Sequence, residues 1–211
     1  MATKYYAVKK GKTPGIYENW DDCKKQVIGF KGAVYKSFET EEEANEYMKG
    51  ESIEYNEKDI KKLDNFSFVD GSFNPSTKVY GCGGFLKCKL YDQETKKYEK
   101  KKFIIQKSGS DKEMSAMRNI AGEILGAMEA TKLAIQLDIK ELTIIYDYAG
   151  IELWATGSWK CNKKCTKEYY EFMQEAKKKI KLHFIKVKGH TGIDGNEEAD
   201  KLAKQTVGIE V

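Results

Sequence analysis

Four acidic residues fall in phase with the apolar positions of this chain, and any fold it adopts has to give each of them a partner. Asp70 closes the alternating run Phe66-Ser67-Phe68-Val69-Asp70, on the strand face of Phe66 and Phe68. Glu123 takes the i+3 slot of the helical stripe Ile120, Glu123, Ile124, Ala127, where a core residue is expected. Asp147 ends the strand-like run 142–147, and Asp200 flanks the apolar edge Ala199, Leu202, Ala203 of a terminal helix. An isolated carboxylate is costly to bury, so such groups normally face a cation. The chain is rich in lysine but has a single arginine, Arg118, and none of the four acids has an obvious lysine beside it on its own face. If the four converge, a hard divalent metal is the natural partner.

With 211 residues, 40% hydrophobic and 33% charged, the chain has room for one ordinary domain and a small one, with a real core and a strongly solvated surface. No apolar run approaches the ~20 residues that span a bilayer. The opening Met-Ala-Thr-Lys-Tyr-Tyr leads into no signal-peptide h-region, so a soluble cytoplasmic protein without membrane contact is expected. The net charge of +4 permits nucleic-acid binding without demanding it. Cys23, Cys82, Cys88, Cys161 and Cys165 form no zinc pattern; Cys161 and Cys165 are the nearest approach to one, and free thiols are expected.

Residues 1–49 read as a small α+β unit. Tyr5-Tyr6-Ala7-Val8 is strand-like, a Gly/Pro turn follows, and Ile16-Tyr17 opens a second strand. Asn19 is placed to cap a helix from Trp20 to near Gly29, and 34–38 reads as a third strand. Residues 50–62 are polar and without period, and are expected to be a linker, with a short helix as the competing reading. From 63 the pattern predicts strands at 65–73, 79–90 and 101–107, a helix at 115–137, a strand at 141–147, helices at 148–156 and 166–180, a strand at 182–188 and a helix at 194–206. A meander followed by crossovers implies a mixed sheet flanked by helices over 63–211.

Asp70-Gly71-Ser72-Phe73-Asn74-Pro75, Asn119-Ile120-Ala121-Gly122-Glu123, Tyr146-Asp147 and the segment from Gly189-His190-Thr191-Gly192 to Gly195-Asn196-Glu197-Glu198-Ala199-Asp200 resemble, in order, the four signatures of type 1 ribonuclease H. The N-terminal unit is similar to the hybrid-binding domain found ahead of many such enzymes. The resemblance implies an α/β fold with a ribonuclease H-like mixed five-stranded sheet, preceded by a small α+β hybrid-binding domain. It implies an endonuclease that hydrolyses the RNA strand of RNA/DNA hybrids and leaves 5′-phosphate and 3′-hydroxyl ends. Asp70, Glu123, Asp147 and Asp200 would hold two Mg²⁺ ions, with Mn²⁺ as a substitute, about 3.5–4 Å apart across one phosphodiester. His190, in a glycine-bounded loop, would assist catalysis or product release.

For the substrate, the resemblance implies that Asn119 contacts a 2′-hydroxyl or base edge and that backbone N–H groups around Gly71, Ser72 and Asn74 meet the RNA strand. Arg118 stands where many relatives have a phosphate-holding Thr, and a guanidinium can take the same phosphate bidentately. Tyr148 stands where many have Ser. In the N-terminal unit Trp20 and Tyr35 would offer stacking faces, with Lys36 on phosphate and Tyr6 nearby. The partner expected is an RNA/DNA hybrid, and the state expected is a monomer. Ordinary readings remain open for each group. Asp147 would cap a helix from Tyr148, Asp200 would be a surface acid beside Lys201, Glu123 would pair with a lysine, and Trp20 and Tyr35 would pack a tiny core. His183 reads as a satisfied strand histidine. A catalytically inactive protein that binds hybrid or duplex RNA is the alternative to the enzyme.

Overall fold

The computed structural model describes residues 4–38, 40–49, 57–187 and 193–210, and the chain divides into two units, 1–54 and 55–211. In the first, β1 (Tyr5–Lys10), β2 (Gly15–Tyr17), α1 (Trp20–Val27), β3 (Val34–Phe38) and α2 (Glu41–Lys49) follow in order. The strands form an antiparallel sheet in the order β2-β1-β3. Asn19 caps α1, its side-chain oxygen accepting from the Asp22 amide at 2.9 Å. Val8, Cys23 and Val27 make the small core, with Tyr6, Tyr17 and Ala33 packed against it.

Residues 50–56 of the expected 50–62 linker lie outside the described residues. The rest of it contains α3 (Glu57–Ile60), a single helical turn whose Ile60 is buried. The second unit continues with β4 (Phe66–Asn74), β5 (Val79–Asp92), β6 (Lys97–Gly109), α4 (Lys112–Ser115), α5 (Asn119–Gln136), β7 (Glu141–Tyr146), α6 (Gly150–Ala155), α7 (Lys164–Lys177), β8 (Lys181–Lys186) and α8 (Asp194–Thr206). Among the described residues the sheet runs β6-β5-β4-β7-β8, with β4, β7 and β8 parallel and the β4–β5–β6 meander antiparallel. This is the mixed five-stranded sheet that the pattern predicts.

Alternation along the strands sends side chains to two cores. Val69, Leu86, Ile144 and Tyr146 pack under α5, α6 and α7 with Ile124, Ile151, Tyr169 and Met173. Phe68, Phe85 and Ile145 face the other way, against Ile60, Ile185 and Ala199 of α8. Each fully buried aliphatic of this kind stabilises the fold by about 1.5–3 kcal/mol.

Two expectations need correction. The hairpin strands reach further than 79–90 and 101–107, because lysines on the solvent face of edge strand β6 do not interrupt its ladder to β5, paired from Tyr80↔Gly109 to Asp92↔Lys97. The helix expected at 115–137 is two helices. Arg118 breaks it at φ 55°, ψ −130°, so α5 begins only at Asn119.

Candidate functional site

The β4–β7 ladder ends at Phe68↔Ile145, while β4 continues beside β5 to Asn74↔Val79. Asp70 and Asp147 each lie two residues past that last pair, on strands that have begun to part. The crevice opens beyond the carboxyl ends of parallel strands, the usual place for a ligand in an α/β sheet. Glu123 reaches it from the second turn of α5. That helix comes close because Gly71 has no side chain: a Cβ there would lie 2.1 Å from the Asn119 carbonyl oxygen and 2.4 Å from the Glu123 amide nitrogen. On the opposite face α8 approaches by the same device, a Cβ on Gly83 falling 1.9 Å from the Ala203 amide nitrogen. Gly83 is the partner of Asp70 across the ladder, and Gly71 follows Asp70, so helices from the two sides are drawn to adjacent register positions.

The result is a cluster of three carboxylates, Asp70, Glu123 and Asp147, with one oxygen of each within 4.8 Å of the others. Glu123 is only 2% exposed, and its Oε2 has no hydrogen-bond partner among the described residues. Burial, then the charges of Asp70 and Asp147, hold its pKa well above the usual carboxylate range. Burial and the charge of Asp147 lift Asp70 to about 6, against the lowering effect of the Gly71 amide, which donates to Asp70 Oδ1 at 2.7 Å. An orphaned buried oxygen among like charges, in an oxygen-only donor set, fits a hard divalent cation.

Asp200 stands at the edge of this group. Its charge also raises Asp70, yet it is not one of the three clustered acids, and its Oδ2 accepts from Lys204 at 2.7 Å. The expectation that none of the four acids has a lysine on its own face is therefore corrected. Lys204 is one helical turn away, at i+4. Asp147 does not cap α6, which begins at Gly150 after Ala149 with no side-chain cap. His190 lies outside the described residues. His183 sits on β8 beside Glu141, 3.4 Å from its Oε2.

Arg118 and Asn119 are exposed at the start of α5, one turn before Glu123. Gly71, Ser72 and Asn74 are half-buried on β4. The Gly71 amide is taken by Asp70. The Asn74 side chain is used internally, donating to the Val207 carbonyl at 3.0 Å and accepting from the Ser76 and Thr77 amides. Beside the acids runs an aromatic row that joins Tyr148 to two tryptophans. Tyr148, whose pKa is raised by burial and by the charge of Glu123, lies 5.7 Å from Trp154, and Trp154 lies 5.8 Å from Trp159. Trp159 remains 40% exposed. Two tryptophans flanking Gly157 were the available signal.

In the first unit a second aromatic row forms. Trp20 packs between Tyr6, at 5.6 Å, and Tyr35, at 5.8 Å. Trp20 and Tyr35 stay 39% and 41% exposed, so these rings do not close the core. Lys36 is half-buried next to Tyr35, its ammonium 5.5 Å from the Phe38 ring centre.

Known proteins bear on both units. The family described as RNase H matches residues 64–208, and the Ribonuclease H1 N-terminal domain matches residues 4–48. A ribonuclease H from Crithidia fasciculata is 52% identical, but the match covers 23% of this chain and only a tenth of that protein. Human Ribonuclease H1 is 25% identical across 95% of this chain and 88% of its own length. The crystal structure of RNase H1 from Halobacterium salinarum superposes with a TM-score of 0.50 at 17% identity, covering 69% of this chain and 98% of that one, a likeness of fold. Among the described residues no helix is long and apolar enough to cross a membrane.

Proposed function

The chain belongs to the ribonuclease H family, and on that premise we propose that it is an endonuclease hydrolysing the RNA strand of RNA/DNA hybrids, with Asp70, Glu123, Asp147 and Asp200 as ligands of two Mg²⁺ ions. The observation that carries this reading is the cluster of three carboxylates around buried Glu123, whose Oε2 has no partner among the described residues. Bound there, divalent ions would supply Lewis acidity and an activated water, with 5′-phosphate and 3′-hydroxyl ends as products.

The chain's own residues do the rest. Asp70, Asp147 and Glu123 are fixed by the sheet and by the backbone approach of α5, so little ordering is left for the moment of reaction. Asn119 donates to or accepts from a 2′-hydroxyl in the shallow minor groove, which separates RNA from DNA. Arg118 takes a backbone phosphate in place of the threonine of many relatives, and Trp159 offers a ring face to the other strand. His190 moves a proton as product leaves. In the first unit Tyr6, Trp20 and Tyr35 stack on sugar or base while Lys36 meets phosphate, giving a second hold on the same hybrid.

The test is incubation of the full chain with labelled RNA/DNA hybrid, duplex RNA and duplex DNA, each with Mg²⁺, with Mn²⁺ or with EDTA. Cleavage of the hybrid's RNA strand alone, dependent on the ion, is expected. A folded protein that binds hybrid and leaves it intact would make this a binding protein instead.

A further inference from the structure

Arg118 joins two pieces of structure that are each fixed by something else. Its backbone stands at φ 55°, ψ −130°, a region that a residue with a side chain occupies only when its surroundings over-determine it. On the C-terminal side, α5 is pressed on β4 at Gly71. On the N-terminal side, α4 is clasped once to β5 and once to the turn before it. Asp111 Oδ1 caps α4 by accepting from the Met114 amide at 3.0 Å, while its Oδ2 accepts from the buried Tyr80 hydroxyl at 2.5 Å. Ser115 Oγ donates to the Lys78 carbonyl at 2.8 Å. The linkage then runs on without slack. The Arg118 amide donates to the Ser115 carbonyl, and the Arg118 carbonyl accepts from the Ala121 amide, both at 3.1 Å.

We propose that Tyr80 and Asp111 are positioning residues for hybrid binding: their hydrogen bond holds α4 against β5 and so fixes the direction in which Arg118 leaves the start of α5. This rests on Arg118 being a phosphate contact. If α4 is released, the cheapest response is for residue 118 to relax into an ordinary backbone conformation, since no other residue from Asp111 to Glu123 has a positive φ. The guanidinium then swings away, while the acidic trio, held by β4, β7 and Gly71, stays in place. The positioning role separates affinity from chemistry.

The experiment compares the full chain with Arg118→Ala, Tyr80→Phe and the double variant. It measures the dissociation constant for a short RNA/DNA hybrid in EDTA over a range of salt, and cleavage under saturating hybrid with Mg²⁺. Arg118→Ala is expected to weaken binding about three- to tenfold and to reduce the salt slope by about one contact. Tyr80→Phe, which keeps the packed ring, is expected to do the same with kcat little changed, and the double variant to be no weaker than either. Asp111→Ala, which removes both acceptors, should behave as Tyr80→Phe. A Tyr80→Phe protein that melts earlier but binds hybrid with the parent's affinity and slope overturns the proposal, as does strict additivity in the double variant. An unchanged slope in Arg118→Ala removes the phosphate contact itself, a different failure.

Discussion

Asp70 carries a cost that the metal-free protein cannot avoid. Its pKa of about 6 stands above the ordinary value of 3.8, so between those two pH values the folded chain holds a proton that the unfolded chain has released. Stability is therefore highest below about pH 4 on this account and falls as pH rises through 6, by about 3 kcal/mol once both states are ionised. Asp70→Asn should remove that loss. In EDTA at neutral pH it is expected to be more stable than the parent by about 2–3 kcal/mol in urea denaturation, with a flatter pH profile between 4 and 6. The same substitution should abolish cleavage while hybrid binding persists, because it removes a metal ligand and leaves the binding surface. Turnover above about one per cent of the parent's would contradict the ligand role.

The elements meet the site through backbone contact, which sets what a substitution costs. Gly71→Ala would drive a methyl into the Asn119 carbonyl and the Glu123 amide. A loss of about 3 kcal/mol, the upper end for overpacking, is expected in denaturation, together with loss of activity as α5 is pushed from β4. Asn19→Ala should cost about 1 kcal/mol of the first unit's stability, read by thermal melting, because the Asp22 amide loses its acceptor. The strand alternation around Phe66–Val69 and the stripe holding Glu123 were legible in the sequence because each element buries one face. The Lys204 partner of Asp200 was legible too, at i+4. The break at Arg118 was not: neither Gly, Pro nor Asn stands at that position, and the conformation is imposed by Tyr80 and Ser115, distant or on another helix. Likewise the gathering of Asp70, Glu123 and Asp147 follows from where a ladder ends, which no local pattern states.

For the molecule as a whole, two units imply two separable contributions. Deleting residues 1–49 is expected to weaken hybrid binding and processivity without stopping cleavage. A remaining fragment that folds but is inert would refute that division. Trp20→Ala should reduce hybrid affinity by roughly 1–3 kcal/mol if the ring stacks, measured by titration of the full chain; an unchanged dissociation constant in a folded variant returns Trp20 to packing alone. The glycines at 71 and 83 reach further than their own elements. Where main chain lies on main chain with no atoms between, neither side can swing outward alone, so those amides are released to solvent only when the entire second unit comes apart. Deuterium labelling should find its slowest positions there and in the first turns of α5, with the outer hairpin and the first unit exchanging sooner. A protein built this way keeps its reactive centre in the last region to open, and warming would dim its affinity before it blurred its chemistry.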